Sequence, residues 1–153
     1  MKFISTLIAA LLIFSAVAVP PLHAAGCAKA ARALNQRLPE KIDEDELALM
    51  LNALNASRNA RLPEKFLTKR EAQQSGWRPG RGLWDIPALH GKSIGGDRFG
   101  NREGRLPRGN WREADLDYRG GRRNAKRLLF SSDGRRWLTV DHYQTFSEIP
   151  ECR

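Results

Sequence analysis

The spacing of apolar residues changes character once along this chain, near Gly76, and that change restricts the folds open to it. Before Gly76 the apolar residues recur at helical intervals. Cys27 to Leu38 is Ala-rich, with Ala30, Leu34 and Leu38 on one face, and Pro39 follows it. Leu47, Met50, Leu51 and Leu54 then stand at i, i+3, i+4 and i+7, an apolar stripe that belongs in a core. Asp43 is placed to cap this helix, with Glu46 three residues on to complete a capping box. Thr68-Lys69-Arg70-Glu71 has the same form and opens a short helix that stops at Gly76.

After Gly76 the segments are short and β-like. Arg78 to Gly91 reads as a loop with one helical turn at Leu83 to Ala88. Strands are predicted at Lys92 to Phe99, Trp111 to Leu116, Lys126 to Ser131, Arg136 to Val140 and Gln144 to Ile149, with a hairpin at Ser132-Asp133-Gly134. Helices first and consecutive strands afterwards predict an α+β domain, with N-terminal helices packed on one face of a C-terminal antiparallel sheet.

The first residues stand apart from this plan. Met1-Lys2 is followed by an apolar run from Phe3 to Val19 and then by Pro20-Pro21-Leu22-His23-Ala24. That pattern reads as a secretory signal peptide over residues 1–24, with cleavage expected after Ala24 and Ala25 the close alternative; a membrane anchor is the other reading. The expected destination is the periplasm or the extracellular space. There the only two cysteines, Cys27 and Cys152, are expected to pair, two free thiols being the alternative. The bridge would close nearly the whole chain into one loop, worth roughly 4–5 kcal/mol by chain entropy. Two distant cysteines without neighbouring ligands do not make a metal site.

The formal net charge is +9, and it is concentrated. Between Arg98 and Arg136 twelve Lys or Arg face five acids, with Arg far in excess. Such a stripe points to nucleic acid, an anionic membrane or an anionic polysaccharide, and the Arg excess favours forked contacts to phosphate. Inside the stripe lies Glu113, which strand alternation places with Trp111 and Asp115 on one face, away from Arg112 and Ala114. His142 stands next to Tyr143 in the bend before the last strand. Arg123 and Arg127 flank Asn124, and Lys69 sits at a helix start, where the helix dipole disfavours a cation. A positioned carboxylate, an imidazole and clustered cations suit metal-free phosphodiester cleavage by proton transfer and charge stabilisation. Taken singly, each has a plainer role as an ion pair or an idle surface group.

Seven ordered blocks join these residues into one pattern. They are Leu62-Pro63; TK-EAQ-GW within Thr68 to Trp77; GKSIGGD at Gly91 to Asp97; NREG-LP within Asn101 to Pro107; WREAD-Y within Trp111 to Tyr118; RN-R-L-SSD within Arg123 to Asp133; and DHYQTF at Asp141 to Phe146. In these blocks the chain resembles the barnase family, the bacterial secreted guanyl-preferring ribonucleases. The resemblance implies a microbial ribonuclease fold, here residues 41–153, with residues 25–40 a helical N-terminal extension. It implies Glu113 as general base, His142 as general acid, and Lys69, Arg123 and Arg127 as the cations on the scissile phosphate. Phe99, Gly100, Asn101, Arg102 and Glu103 match the guanine-recognition loop, and Tyr143 an aromatic that holds base and site. Asp97 and Asp115 match supporting carboxylates.

Gly100 departs from the family's usual serine, and Gly134 from a bulky residue. The resemblance further implies an RNA substrate, no cofactor or metal, a monomer, and an acidic intracellular inhibitor of the barstar kind. Two alternatives keep the basic stripe without the chemistry: a non-catalytic nucleic-acid-binding protein and a cationic membrane-active protein.

Overall fold

The computed structural model describes residues 26–153. The expected leader at 1–24 and its cleavage point lie outside the described residues. Helix α1 (Cys27–Arg37), helix α2 (Glu44–Ala56) and helix α3 (Lys69–Gln74) accompany six strands: β1 (Phe66–Leu67), β2 (Ser93–Arg98), β3 (Trp111–Asp115), β4 (Arg127–Ser131), β5 (Arg136–Thr139) and β6 (Ser147–Glu148). The six form a single sheet in chain order. The α+β class is as expected from sequence. Strands β2 to β6 pair antiparallel, but β1 runs parallel to β2, so the sheet is mixed and not purely antiparallel. Two residues of β1 carry too little alternation to be read from sequence.

Helices α1 and α2 cover one face of the sheet. Ala30, Ala31, Leu34, Leu47, Met50, Leu51 and Leu54 pack with Ala114, Leu116, Leu128, Phe130 and Leu138 in one core. The predicted i, i+3, i+4, i+7 stripe of α2 is fully buried, each large side chain contributing about 1.5–3 kcal/mol. Asn35 fastens the α1–α2 linker, donating to the Ile42 and Glu44 oxygens and accepting from the Ile42 amide at 2.9 Å. Lys41 Nζ donates to the carbonyls of Asn35, in the last turn of α1, and of Leu38, which caps it, both at 2.9 Å, satisfying otherwise orphaned acceptors.

The two capping predictions fare differently. At α3, Thr68 and Glu71 form the full reciprocal box. At α2, Asp43 accepts from the Glu46 amide at 3.0 Å, but Glu46 does not reach back. Its carboxylate is buried and is already taken by Lys65, the Asp117 amide and Arg119. The Asp43 amide donates instead to Asp117 Oδ1 at 3.0 Å. A long-range ion network has displaced a local cap.

Cys27 and Cys152 are joined, tying the start of α1 to the end of the chain. The carbonyl of Cys152 accepts from Asn55 Nδ2 at 2.8 Å. Register within the sheet is as alternation requires: Ala114 and Leu116 face the helices, and Trp111 joins Leu129 and Leu106 in a separate cluster on the other face. Gly95, at an irregularity between β2 and β3, is a steric necessity. A Cβ there would stand 2.7 Å from Phe66 and 2.9 Å from Ala114.

Candidate active site

The open face of the sheet, opposite α1 and α2, carries the expected site residues. Glu113, at the centre of β3, is only 6% exposed. Its Oε1 accepts from Lys69 Nζ at 3.2 Å and its Oε2 from the Tyr143 hydroxyl at 2.5 Å. Burial, and then the bond to this carboxylate, raises the Tyr143 phenol well above its ordinary pKa, so it stays a donor at all relevant pH. Lys69 is aimed by the start of α3, and its amide donates to Asp97 Oδ2 at 2.9 Å. Asp97 therefore anchors the Lys69 backbone and offsets the misplacement of a cation at a helix start.

Asp115, two residues along the same face, is 1% exposed and gathers the arginines. Arg123 donates to its two oxygens through Nε and Nη2, both at 2.6 Å. Burial opposes the charge of Arg123, yet the fork onto Asp115 raises its pKa above the ordinary value. Arg127, 3% exposed, lies with Nε 3.0 Å from Asp115 Oδ1, a charge contact too poorly angled to be a hydrogen bond. Its Nη1 donates to the carbonyls of Asn124 and Lys126, both at 2.7 Å. One buried carboxylate thus holds two guanidinium groups in place.

The segment that carries His142 is folded by Asp141, and this is why the predicted strand Gln144 to Ile149 shrinks to Ser147–Glu148. Asp141 Oδ1 accepts from the amides of Gln144 and Thr145 and from Thr139 Oγ1, and Oδ2 from Thr145 Oγ1 at 2.6 Å. Burial opposes that charge more than any one of these bonds favours it, but the donors together hold the Asp141 carboxyl below its usual range. A side chain that satisfies successive backbone donors competes with the sheet ladder and wins. Within this turn His142 and Tyr143 both take left-handed backbone angles, φ 55° and 69°. Such angles cost about 1–2 kcal/mol each in a residue other than glycine. The turn persists because it is tied down at both ends, including His142 N–H to the Ala125 carbonyl at 3.1 Å.

As a result, the exposed His142 lines a cleft of about 390 Å³ with Arg123, Asn124 and Arg127. Its ring lies 4.8 Å from that of Tyr143, whose hydroxyl reaches Glu113. Glu113, His142, Lys69, Arg123 and Arg127 are brought to one side of the sheet.

Beside them a cleft of about 630 Å³ is lined by Phe99, Gly100, Asn101, Arg102, Glu103 and Tyr143, together with Arg98, Arg105 and Phe146. Phe99 stacks on Tyr143 with ring centroids 5.2 Å apart. Asn101, at φ 44°, closes the loop by exchanging hydrogen bonds with the Leu106 backbone at 2.7 and 3.0 Å. The Phe99 amide is spent on the Trp111 carbonyl, leaving the amides of residues 100–103 without a protein acceptor among the described residues. Glu103 is exposed and ion-paired to Arg105 at 2.8 Å.

In the sequence Arg105 is one cation of twelve between Arg98 and Arg136, with nothing local to distinguish it. It donates to the carbonyls of Tyr143 and Gln144, at 3.2 and 2.6 Å, and so clamps the 99–106 loop to the His142 turn. Only the folded chain makes it distinctive.

The sequence profile of the ribonuclease family matches residues 52–150. A ribonuclease of Heyndrickxia coagulans is 50% identical over 96 residues, which cover 60% of this chain and 86% of that one. A ribonuclease of Bacillus intermedius is equally similar, 50% over 96 residues, but the match spans only 58% of its length. A crystal structure of ribonuclease Sa2 with guanosine-2'-cyclophosphate has 28% identity and a TM-score of 0.33, over 54% of this chain and 78% of that one.

Proposed function

The chain belongs to the ribonuclease family, enzymes that cleave RNA, and on that premise we propose that it is a secreted, metal-independent endoribonuclease with a preference for guanosine on the 3′ side of which it cuts. The observation that carries this reading is the buried Glu113 carboxylate, held by Lys69 and Tyr143, beside a His142 cleft walled by Arg123 and Arg127.

Glu113 removes the proton of the ribose 2′-OH, whose oxygen attacks the adjacent phosphorus. The bond from phosphorus to the departing 5′-oxygen breaks as protonated His142 gives that oxygen its proton, leaving a 2′,3′-cyclic phosphate. Lys69, Arg123 and Arg127 stabilise the charge that gathers on the phosphoryl oxygens. In the second step water replaces the alcohol and the two residues exchange roles, giving a 3′-phosphate. The nucleophile is the 2′-OH, so DNA binds without being cut.

Guanine is proposed for the neighbouring cleft. It stacks with Phe99 and Tyr143, its O6 accepts from the free amides of the 100–103 segment, and Glu103 accepts from N1 and N2. Glu103 must then leave or share its pairing with Arg105. Export by the 1–24 leader, action as a monomer, and an acidic barstar-like inhibitor over the basic clefts complete the proposal.

The test is cleavage of a panel of dinucleotides and of single-stranded RNA in EDTA. Activity should persist without metal and be fastest where guanosine precedes the cut. Glu113→Ala or His142→Ala should each lower kcat by about 10²–10⁴ with the fold retained. Normal turnover by the Glu113→Ala protein would end the assignment.

A further inference from the structure

Three arginines unused by this chemistry run from the base cleft around the end of the sheet. Arg98 closes β2 and lines that cleft. Its directly opposed partner on β3 is Arg112, whose side chain alternation sends to the face away from Glu113. Arg112 lines a second cleft of about 400 Å³ with Arg58, Asn59 and Asn110, and no acidic residue borders it. Arg58 also borders a third cleft with Arg136, where Asp133 and Glu151 end the purely basic run.

All three side chains are exposed, and among the described residues none has a carboxylate within 4.0 Å. Two of these placements work against stability. Like charges directly opposed across strands repel at close range. Arg58 also holds a left-handed backbone, φ 53°, just past the end of α2, where glycine would be relaxed. Unpaired guanidinium groups kept at such a cost, adjoining a cleft read as a base pocket, match an external chain of anions.

We propose that Arg98, Arg112 and Arg58 form a track for the backbone phosphates of RNA flanking the cleaved nucleotide, leading the strand from the base cleft around the sheet end. The inference rests on the ribonuclease reading above and extends it from one nucleotide to a longer substrate. The Arg side chains contact phosphate and not bases, so the track adds affinity without sequence preference.

The test compares the full chain with an Arg58→Gln/Arg112→Gln double variant, its fold checked by urea midpoint. Three readouts are taken: kcat/KM on a guanosine-containing dinucleotide, kcat/KM on a long single-stranded RNA, and binding of an uncleavable single-stranded deoxyoligonucleotide across a salt series. The ratio of long-RNA to dinucleotide kcat/KM should fall in the variant. The slope of log affinity against log salt should lose about 0.7 per missing phosphate contact, so about 1.4 in all. An unchanged ratio with an unchanged slope overturns the track, as does an equal loss on both substrates. Loss of binding to phosphatidylglycerol vesicles with oligonucleotide binding intact would overturn it in favour of a membrane surface. If the wild-type protein cleaves neither RNA, the ribonuclease reading fails, and the deoxyoligonucleotide slope still decides the track.

Discussion

Replacing Asp115 by Asn should be among the most damaging isosteric changes available to this protein. The carboxylate is 1% exposed and receives two bonds of 2.6 Å from Arg123 and a charge contact of 3.0 Å from Arg127. Asparagine keeps one acceptor oxygen and turns an amide N–H₂ towards guanidinium N–H groups, donor against donor. Two cations are then left without a counter-charge, one of them 3% exposed. Removing one partner of a buried ion pair costs about 3–5 kcal/mol. The carbonyls of Asn124 and Lys126 still hold Arg127, which places the expectation at the lower end, about 3 kcal/mol.

For a chain of this size that corresponds to a fall in Tm of roughly 10 °C. Urea titration at neutral pH should show it as a lower midpoint with an unchanged slope. The freed guanidinium groups should also respond to inorganic phosphate, which recovers more stability in Asp115→Asn than in the wild type by mass action. kcat should fall as well, because the same carboxylate fixes where Arg123 and Arg127 stand. A variant within 0.5 kcal/mol of wild type, with normal kcat and no added response to phosphate, would refute the claim that Asp115 organises the site.

Three further outcomes are expected. Reducing the Cys27–Cys152 bridge, which spans 125 residues, should cost up to about 5 kcal/mol by chain entropy and lower the urea midpoint by on the order of 2 M; equal midpoints with and without reductant would contradict this. Arg105→Ala should unclamp the loop and raise KM for guanosine dinucleotides about five-fold, its two exposed bonds from one Nη1 being worth roughly 1 kcal/mol together, with kcat little changed; a purely kcat effect would place Arg105 elsewhere in the mechanism. The third concerns Asp133, whose pKa the Arg135 side chain lowers from 3.8 to about 2. A depressed carboxyl stabilises above its unfolded pKa and loses that contribution as pH falls through the folded one, here between about 4 and 2. The pair is partly exposed, so Asp133→Asn should cost under about 1 kcal/mol at pH 6 and nothing below pH 2, read from urea midpoints at both.

Much of this architecture is local in origin, and local origin is what a linear sequence displays. The α2 stripe, the Thr68–Glu71 box, the Gly134 turn and the alternation of β3 each depend on residues within one or two turns of each other. Alternation alone places Glu113 and Asp115 on the face opposite Ala114. The ordered blocks from Leu62 to Phe146 carry the residues proposed for the site, each at a fixed place in the linear pattern.

Interactions between distant segments were decided elsewhere. Glu46 gives up its capping role because Lys65, Asp117 and Arg119 reach it from across the chain. The last strand is cut short because Asp141 outcompetes the ladder for the Gln144 and Thr145 amides. Arg105 becomes a clamp, and Arg98 meets Arg112, only once loops and strands are assembled. Sequence by itself determined which chemical groups the molecule owns and which face of each element they leave by. Tertiary structure decided which of those groups meet, because a charge settles on the partner that packing brings within reach.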